Sequence, residues 1–133
     1  MVRLCESENH FTYCYELDQS LEEKITAVVR RIYGGAGVAF VPSVTKQLTH
    51  LTQLGYGGCP VCIAKTQYSF TDDKAKLGAP RDFIVTVRNV KLFAGAGFVV
   101  ALTGEIMTMP GLPKVPAAEG IDVDAHGKIT GLS

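Results

Sequence analysis

The stretch FVVALTGEIMTMPGLPKVPAAEGIDVD, Phe98 to Asp124, decides the fold class. Phe98 to Leu102 is a short, strongly apolar run that stops at Gly104. Behind it comes a loop with Pro110, Gly111, Pro113 and Pro116, and with Met107, Met109 and Leu112 among them. A buried strand feeding a rigid, partly apolar loop is how open α/β sheets build a ligand crevice at strand ends.

Upstream, the pattern alternates between helix and strand. Ser20-Leu21-Glu22-Glu23 has the form of a capping box, with Leu21, Ile25, Val28, Val29 and Ile32 following at helical spacing. Arg30 and Arg31 fall in the last turn, where cations suit the helix dipole, and Gly34-Gly35 ends it. Gly37 to Val41 reads as a strand. Pro42 opens a second helix that carries Val44, Leu48, Leu51 and Leu54 on one face and stops at Gly55. Cys59 to Ala64 reads as a buried strand, and Phe83 to Phe93 as a long alternating one with Arg88 and Lys91 near its end. Ala94 to Gly97 is a turn, Thr71 to Pro80 a loop with room for one helical turn, and Asp124 to Gly127 a hairpin turn. Phe11 to Leu17 alternates as a strand or extended segment. The expected fold is one α/β domain over 1–133, a mixed sheet with flanking helices, parallel at first and antiparallel later.

Composition narrows the function. The 133 residues are 47% hydrophobic and 20% charged, the balance of a folded chain rather than a disordered one. Net charge is zero, which gives no electrostatic case for nucleic acid or an anionic membrane. No apolar run reaches the length of a membrane span. The start, MVRLCESENH, has Glu6 and Glu8 and no apolar signal core, so a cytoplasmic location is the expectation.

Motifs for self-sufficient chemistry are missing. No G-x-x-x-x-G-K-[ST] occurs; Gly127-Lys128 is followed by Ile129. Gly95-Ala96-Gly97 lacks the third glycine of a dinucleotide fingerprint and reads as a turn. His10, His50 and His126 form no catalytic constellation, and Asp72, Asp73, Asp122 and Asp124 read as turn formers. No catalytic residue and no metal ligand is assigned. Cys59-Pro60-Val61-Cys62 is a CxxC, but Cys5 and Cys14 do not complete a zinc set. Nor does it open a helix as a redox pair would, so small buried side chains are the simpler reading.

Two loops could hold a ligand. Lys65-Thr66-Gln67 follows one strand directly; Thr108-Met109-Pro110-Gly111-Leu112 follows another. If those strands are neighbours, both loops face one crevice. A purine could sit against the Met, Pro and Leu surfaces, with Thr and Gln on its edge. The competing reading is that proline stiffens a turn while the methionines fill the core.

ALTGEIMTMPGLPKVPAAEGIDVD together with PVCIAKTQYSFTDD resembles the C-terminal part of formate–tetrahydrofolate ligase. Leu4-Cys5-Glu6, the stretch from Ile32 to Phe40, Ala64 to Phe70, and Phe83 to Gly104 extend the likeness over nearly the whole chain. The resemblance implies a P-loop NTPase-type fold and an ATP-dependent ligase of one-carbon metabolism. In such an enzyme formate and ATP form formyl phosphate, and N10 of tetrahydrofolate captures the formyl group. ATP with magnesium, a monovalent cation and a homo-oligomeric assembly come with the family. The resemblance also places the phosphate-binding loop, the formyl-phosphate arginine and the pterin-stacking aromatic pair upstream of this region, and this chain has no tryptophan. The chain alone is therefore expected to be inactive, to bind these ligands loosely at best, and to work with an N-terminal ligase portion. Met1 falls where the family's C-terminal segment begins, as a truncated frame, a split gene or a cloned fragment would leave it. By position, Lys65, Thr66, Gln67, Thr108, Met109, Pro110, Gly111 and Leu112 are the expected nucleotide contacts. Cys59, Cys14 and Val41 stand where the family favours other residues. The alternatives are a self-associating, non-catalytic module and a CxxC metal or redox protein.

Overall fold

The computed structural model describes residues 2–8, 10–104, 106 and 114–132. Helix α1, Val2–Cys5, is a single turn that no sequence signal marks. Helix α2, Leu21–Val28, begins on the expected capping box: Glu23 N donates to Ser20 Oγ at 3.2 Å, and Ser20 N donates to Glu23 Oε2 at 2.9 Å. These hydrogen bonds hold the Glu23 carboxyl below its ordinary value. The helix continues as a π-helical turn, Val29–Tyr33, ending at Gly34 with φ of 75°. That wider winding breaks the 3.6-residue phase. Ile32, expected on the apolar face, is exposed, and Tyr33 packs beside Val29, Phe83 and Val85 instead.

Strand β1, Gly37–Phe40, leads into helix α3, Pro42–Leu51, with Pro42 in its first turn. A second π-helical turn, Thr52–Tyr56, contains Gly55 at φ of 90°, a conformation glycine adopts without strain. Leu54 lies in that kink and is exposed, whereas Val44 and Leu48 are fully buried. Strands β2, Val61–Ala64, β3, Ile84–Phe93, and β4, Phe98–Thr103, complete the main sheet. A short 3-10 turn, Ala117–Gly120, precedes the hairpin of β5, Asp122–Val123, and β6, Ile129–Thr130. The hairpin turn is tied by Asp124 Oδ1, which accepts from the backbone of His126 and Lys128.

The main sheet has the order β1-β3-β4-β2. The β1–β3 pair is parallel, β3–β4 antiparallel and β4–β2 parallel, so the expected mixed α/β sheet is what forms. Both long helices cover one face: Leu21 and Ile25 from α2 and Val44 and Leu48 from α3 meet Val87, Val90, Val99 and Ala101. Burying a leucine of this kind stabilises by about 1.5–3 kcal/mol. On the other face, part of the sheet is exposed among the described residues. Ile84 and Phe93 are 53% and 47% exposed, and Phe93 stacks on Phe98 at 5.3 Å.

One expectation fails here and two are narrowed. Phe11 to Leu17 forms no strand. Phe11 and Tyr13 are exposed and meet edge to face, while Tyr15 reaches across to the sheet edge. There Val61 N donates to Tyr15 Oη at 2.9 Å, so a side chain rather than a strand covers this part of the edge. Cys62, expected to be buried, is exposed, because residue 62 points to the other face while Cys59 packs toward the core. The 71–80 segment is the expected loop, with turns but no helical turn.

Among the described residues one cation is fully buried. Lys24, at 0% exposure, donates from Nζ to the carbonyls of Gly57 at 2.7 Å and Cys59 at 3.1 Å. It clamps the turn that enters β2 onto α2. Desolvation lowers its pKa, with Cys59 and Asp18 opposing that shift.

Candidate functional site

The condition for a shared crevice is met. Strands β2 and β4 are parallel neighbours, with Ala64 opposite Leu102, so the chain leaves both at the same end of the sheet. One residue further, Thr103 Oγ1 donates to the Ala64 carbonyl at 3.2 Å and pins the two strand ends together.

The loop after β2 is stiffened by its own side chains. Lys65 Nζ donates to the Thr66 carbonyl at 2.7 Å and to the Ser69 carbonyl, and lies 5.2 Å from the Tyr33 ring centre. Tyr33 in turn meets Phe70 at 6.4 Å between ring centres. Ser69 Oγ donates to the Lys76 carbonyl, and Asp73 N donates to Thr71 Oγ1 at 2.7 Å. Ser69 and Thr71 are buried, so a folded polar knot stands where sequence suggests open loop. Burial pulls the Lys65 ammonium below the ordinary lysine value, against the charge of Asp72. Burial also raises the Tyr33 phenol, as does the Cys62 side chain.

The knot is fastened to the sheet. Strand β4 stops pairing with β3 at Thr103, opposite Val87. Just before that point on β3, Thr86 N donates to Asp72 Oδ2 at 2.9 Å. Gly104 makes the closest approach: its φ is 68°, and a Cβ there would stand 3.0 Å from the Asp72 carbonyl oxygen. Only glycine satisfies both conditions without strain.

An open cleft of about 810 Å³ lies between these parts. Thr66, Asp72, Asp73 and Lys74 line it from the knot; Arg88 lines it from β3, and Gly104 and Ile106 from the end of β4. Its size is within the few-hundred to ~1,000 Å³ range of small-molecule sites.

The expected contacts divide. Thr66 lines the cleft. Lys65 does not: its ammonium is turned into the knot as a fastener. Gln67 is exposed outside the lining. Thr108, Met109, Pro110, Gly111 and Leu112 lie outside the described residues. Asp73 and Asp124 behave as turn formers, accepting from Ala75 N and His126 N at 2.9 Å, whereas Asp72 departs from that expectation and reaches across to Thr86 N on β3.

Sequence reasoning missed Lys74 and Arg88. Arg88 occupies a β-bulge: Val87 pairs with Thr103 and Asn89 with Leu102, which leaves residue 88 unmatched. The signal was present. In FIVTVRNVKLF the apolar phase runs through Phe83, Val85 and Val87, then resumes at Val90 and Leu92, one position out of step.

Among the described residues no group of three or more His, Cys, Asp or Glu could hold a metal ion.

The whole span 1–133 matches the family model for formate–tetrahydrofolate ligase. The chain belongs to the formate–tetrahydrofolate ligase family. Full-length ligases of this family use formate, tetrahydrofolate and ATP. Set against the ligase reaction, the cleft offers hydroxyl, carboxylate and cationic groups.

Proposed function

We propose that this chain is a C-terminal ligase portion that forms one side of the nucleotide site and leaves phosphoryl transfer to residues it does not carry. The observation behind this reading is the parallel β2–β4 pair, which delivers the 65–67 loop and the chain after Thr103 to one end of the sheet. Thr66 and Gln67 would hydrogen-bond a purine edge from one side. Thr108, Met109, Pro110, Gly111 and Leu112 would supply the apolar seat from the other. Lys65 acts indirectly, by holding Thr66 in place.

In the ligase reaction a formate oxygen attacks the γ-phosphorus of ATP, giving formyl phosphate and ADP. N10 of tetrahydrofolate then attacks the formyl carbon and expels phosphate. Both steps depend on positioning and charge neutralisation. Within this chain no P-loop sequence is present for that task, and the described residues offer no metal cluster. In this reading ATP, its magnesium and the monovalent cation would be held by the assembled site, with an N-terminal ligase portion as partner. A cytoplasmic setting suits these substrates, and no helix of the described residues is long and apolar enough to cross a membrane.

Adenosine titrated into the isotope-labelled chain tests this. The expected result is fast-exchange shifts at Thr66, Gln67 and Gly104, with a dissociation constant of about 1 mM, roughly −4 kcal/mol. No 10-formyltetrahydrofolate should form when ATP, formate and tetrahydrofolate are added. Turnover by the purified chain, or saturable adenosine shifts confined to other regions, overturns the proposal.

A second reading rests on the exposed part of the sheet face. With Ile84, Phe93 and Cys62 exposed there, a self-associating module without chemistry is the alternative. A concentration-dependent oligomer that ignores adenosine would favour it. The CxxC reading loses ground, since Cys62 lies on a strand and not at a helix start.

A further inference from the structure

We propose that Arg88 and Lys74 form an anion subsite in the cleft beside Thr66, for a carboxylate or phosphate of the bound substrate. The idea rests on the cleft being the ligand site, and adds which chemical group its cationic side receives. Three observations carry it.

The first is the bulge. A strand residue normally faces either the packed side or the open side in strict alternation. The extra residue at 88 interrupts the ladder, and its side chain lines the cleft. Bulges are used beside binding sites to re-aim one side chain.

The second is the state of the charges. Among the described residues neither Arg88 nor Lys74 forms an ion pair with a carboxylate; the pair that forms is His10 with Glu8, far along the chain. Each aspartate of the lining accepts a backbone hydrogen bond. Asp72 accepts from Thr86 N and faces the Lys65 charge; Asp73 accepts from Ala75 N. Among the described lining residues two cations, Lys74 and Arg88, stand against two carboxylates, Asp72 and Asp73.

The third is chemistry. A guanidinium presents a planar fork that meets a carboxylate or phosphate through two parallel hydrogen bonds, and an ammonium adds a point charge. Two substrates of the ligase family carry such groups: the phosphates of ATP and the glutamate-tail carboxylates of tetrahydrofolate. The shared ligand chemistry is an oxyanion on a larger organic body.

The experiment uses the full chain and two probes, inorganic tripolyphosphate and p-aminobenzoyl-triglutamate, followed by backbone and Arg side-chain resonances. We expect saturable shifts at Arg88, Lys74 and Thr66. Arg88→Gln should weaken binding by about threefold to fivefold, as should Lys74→Gln, in line with an exposed charge contact. Raising salt from about 0.05 to about 0.3 M should weaken it further by screening. Stronger binding of tripolyphosphate assigns the subsite to the nucleotide; stronger binding of the triglutamate assigns it to the folate tail. Circular dichroism and melting temperature keep a misfolded variant from counting as support. No saturable shift with either probe, or shifts unchanged in both variants, overturns the subsite. Adenosine is the separate arm: if it fails while an anion binds, the purine seat falls and the subsite stands.

Discussion

Thr103 Oγ1 donates a 3.2 Å hydrogen bond to the Ala64 carbonyl, and so joins the ends of the two parallel strands from which both candidate loops depart. Thr103 is buried, at 1% exposure. Thr103→Val keeps the shape and removes the donor. A buried hydrogen bond of this kind contributes about 1 kcal/mol. Urea unfolding should show a loss of that size, and amide exchange should quicken at residues 64–67 before it does in the helices.

Gly104 is the hinge between sheet and cleft. Gly104→Ala places a Cβ 3.0 Å from the Asp72 carbonyl at a positive φ of 68°. Left-handed backbone at a non-glycine residue costs about 1–3 kcal/mol. The variant should unfold at lower urea and lose the probe-induced shifts at Thr66, because the Asp72 side of the knot must move away.

Lys24 gives a pH signature. Its folded pKa is lowered by burial, so the native state resists carrying the charge that the unfolded chain carries freely. The cost is present in full below the depressed pKa. It disappears as pH rises from that value toward the ordinary lysine value of about 10.4. Stability relative to Lys24→Met should therefore rise with pH across that window. At neutral pH the variant should still be destabilised by about 1–3 kcal/mol, since the Gly57 and Cys59 carbonyls lose their donor. Urea midpoints at several pH values, measured for both proteins, check the sign.

Lys65 holds the polar knot. Lys65→Met removes the donor shared by the Thr66 and Ser69 carbonyls while keeping an unbranched apolar stem over Tyr33. The expected outcome is faster limited proteolysis within residues 66–78 with little change in global melting. Unchanged cleavage would mean that Ser69 and Thr71 suffice to hold the loop.

Most of the frame was legible because local signals agreed with one another. Ser20 and Glu23 cap α2, Pro42 starts α3, and Gly34 and Gly55 stop helical phases as their φ values require. The open condition in the sequence, whether the strands before Lys65 and Gly104 are neighbours, was a question of long-range pairing that no local pattern answers. The structure answers it through Ala64 and Leu102. Ile32 was misread because a π-helical turn shifts the side-chain phase without changing the local composition. The inward turn of Lys65 depends on Tyr33, thirty-odd residues away in sequence, and could not be read from Lys-Thr-Gln. Arg88 was readable in retrospect from the slipped apolar phase of β3.

The central claim is that the loops after β2 and β4 form the nucleotide-facing wall, and photolabelling tests it most directly. Full-length ligase containing this sequence region, or the chain itself at saturating ligand, would be irradiated with an azido-adenine nucleotide and digested. The account predicts label in peptides carrying Thr66 and Gln67 or the Thr108–Leu112 stretch, reduced by excess ATP. Label confined to α2, α3 or the β5–β6 hairpin, with those peptides clean, would contradict it.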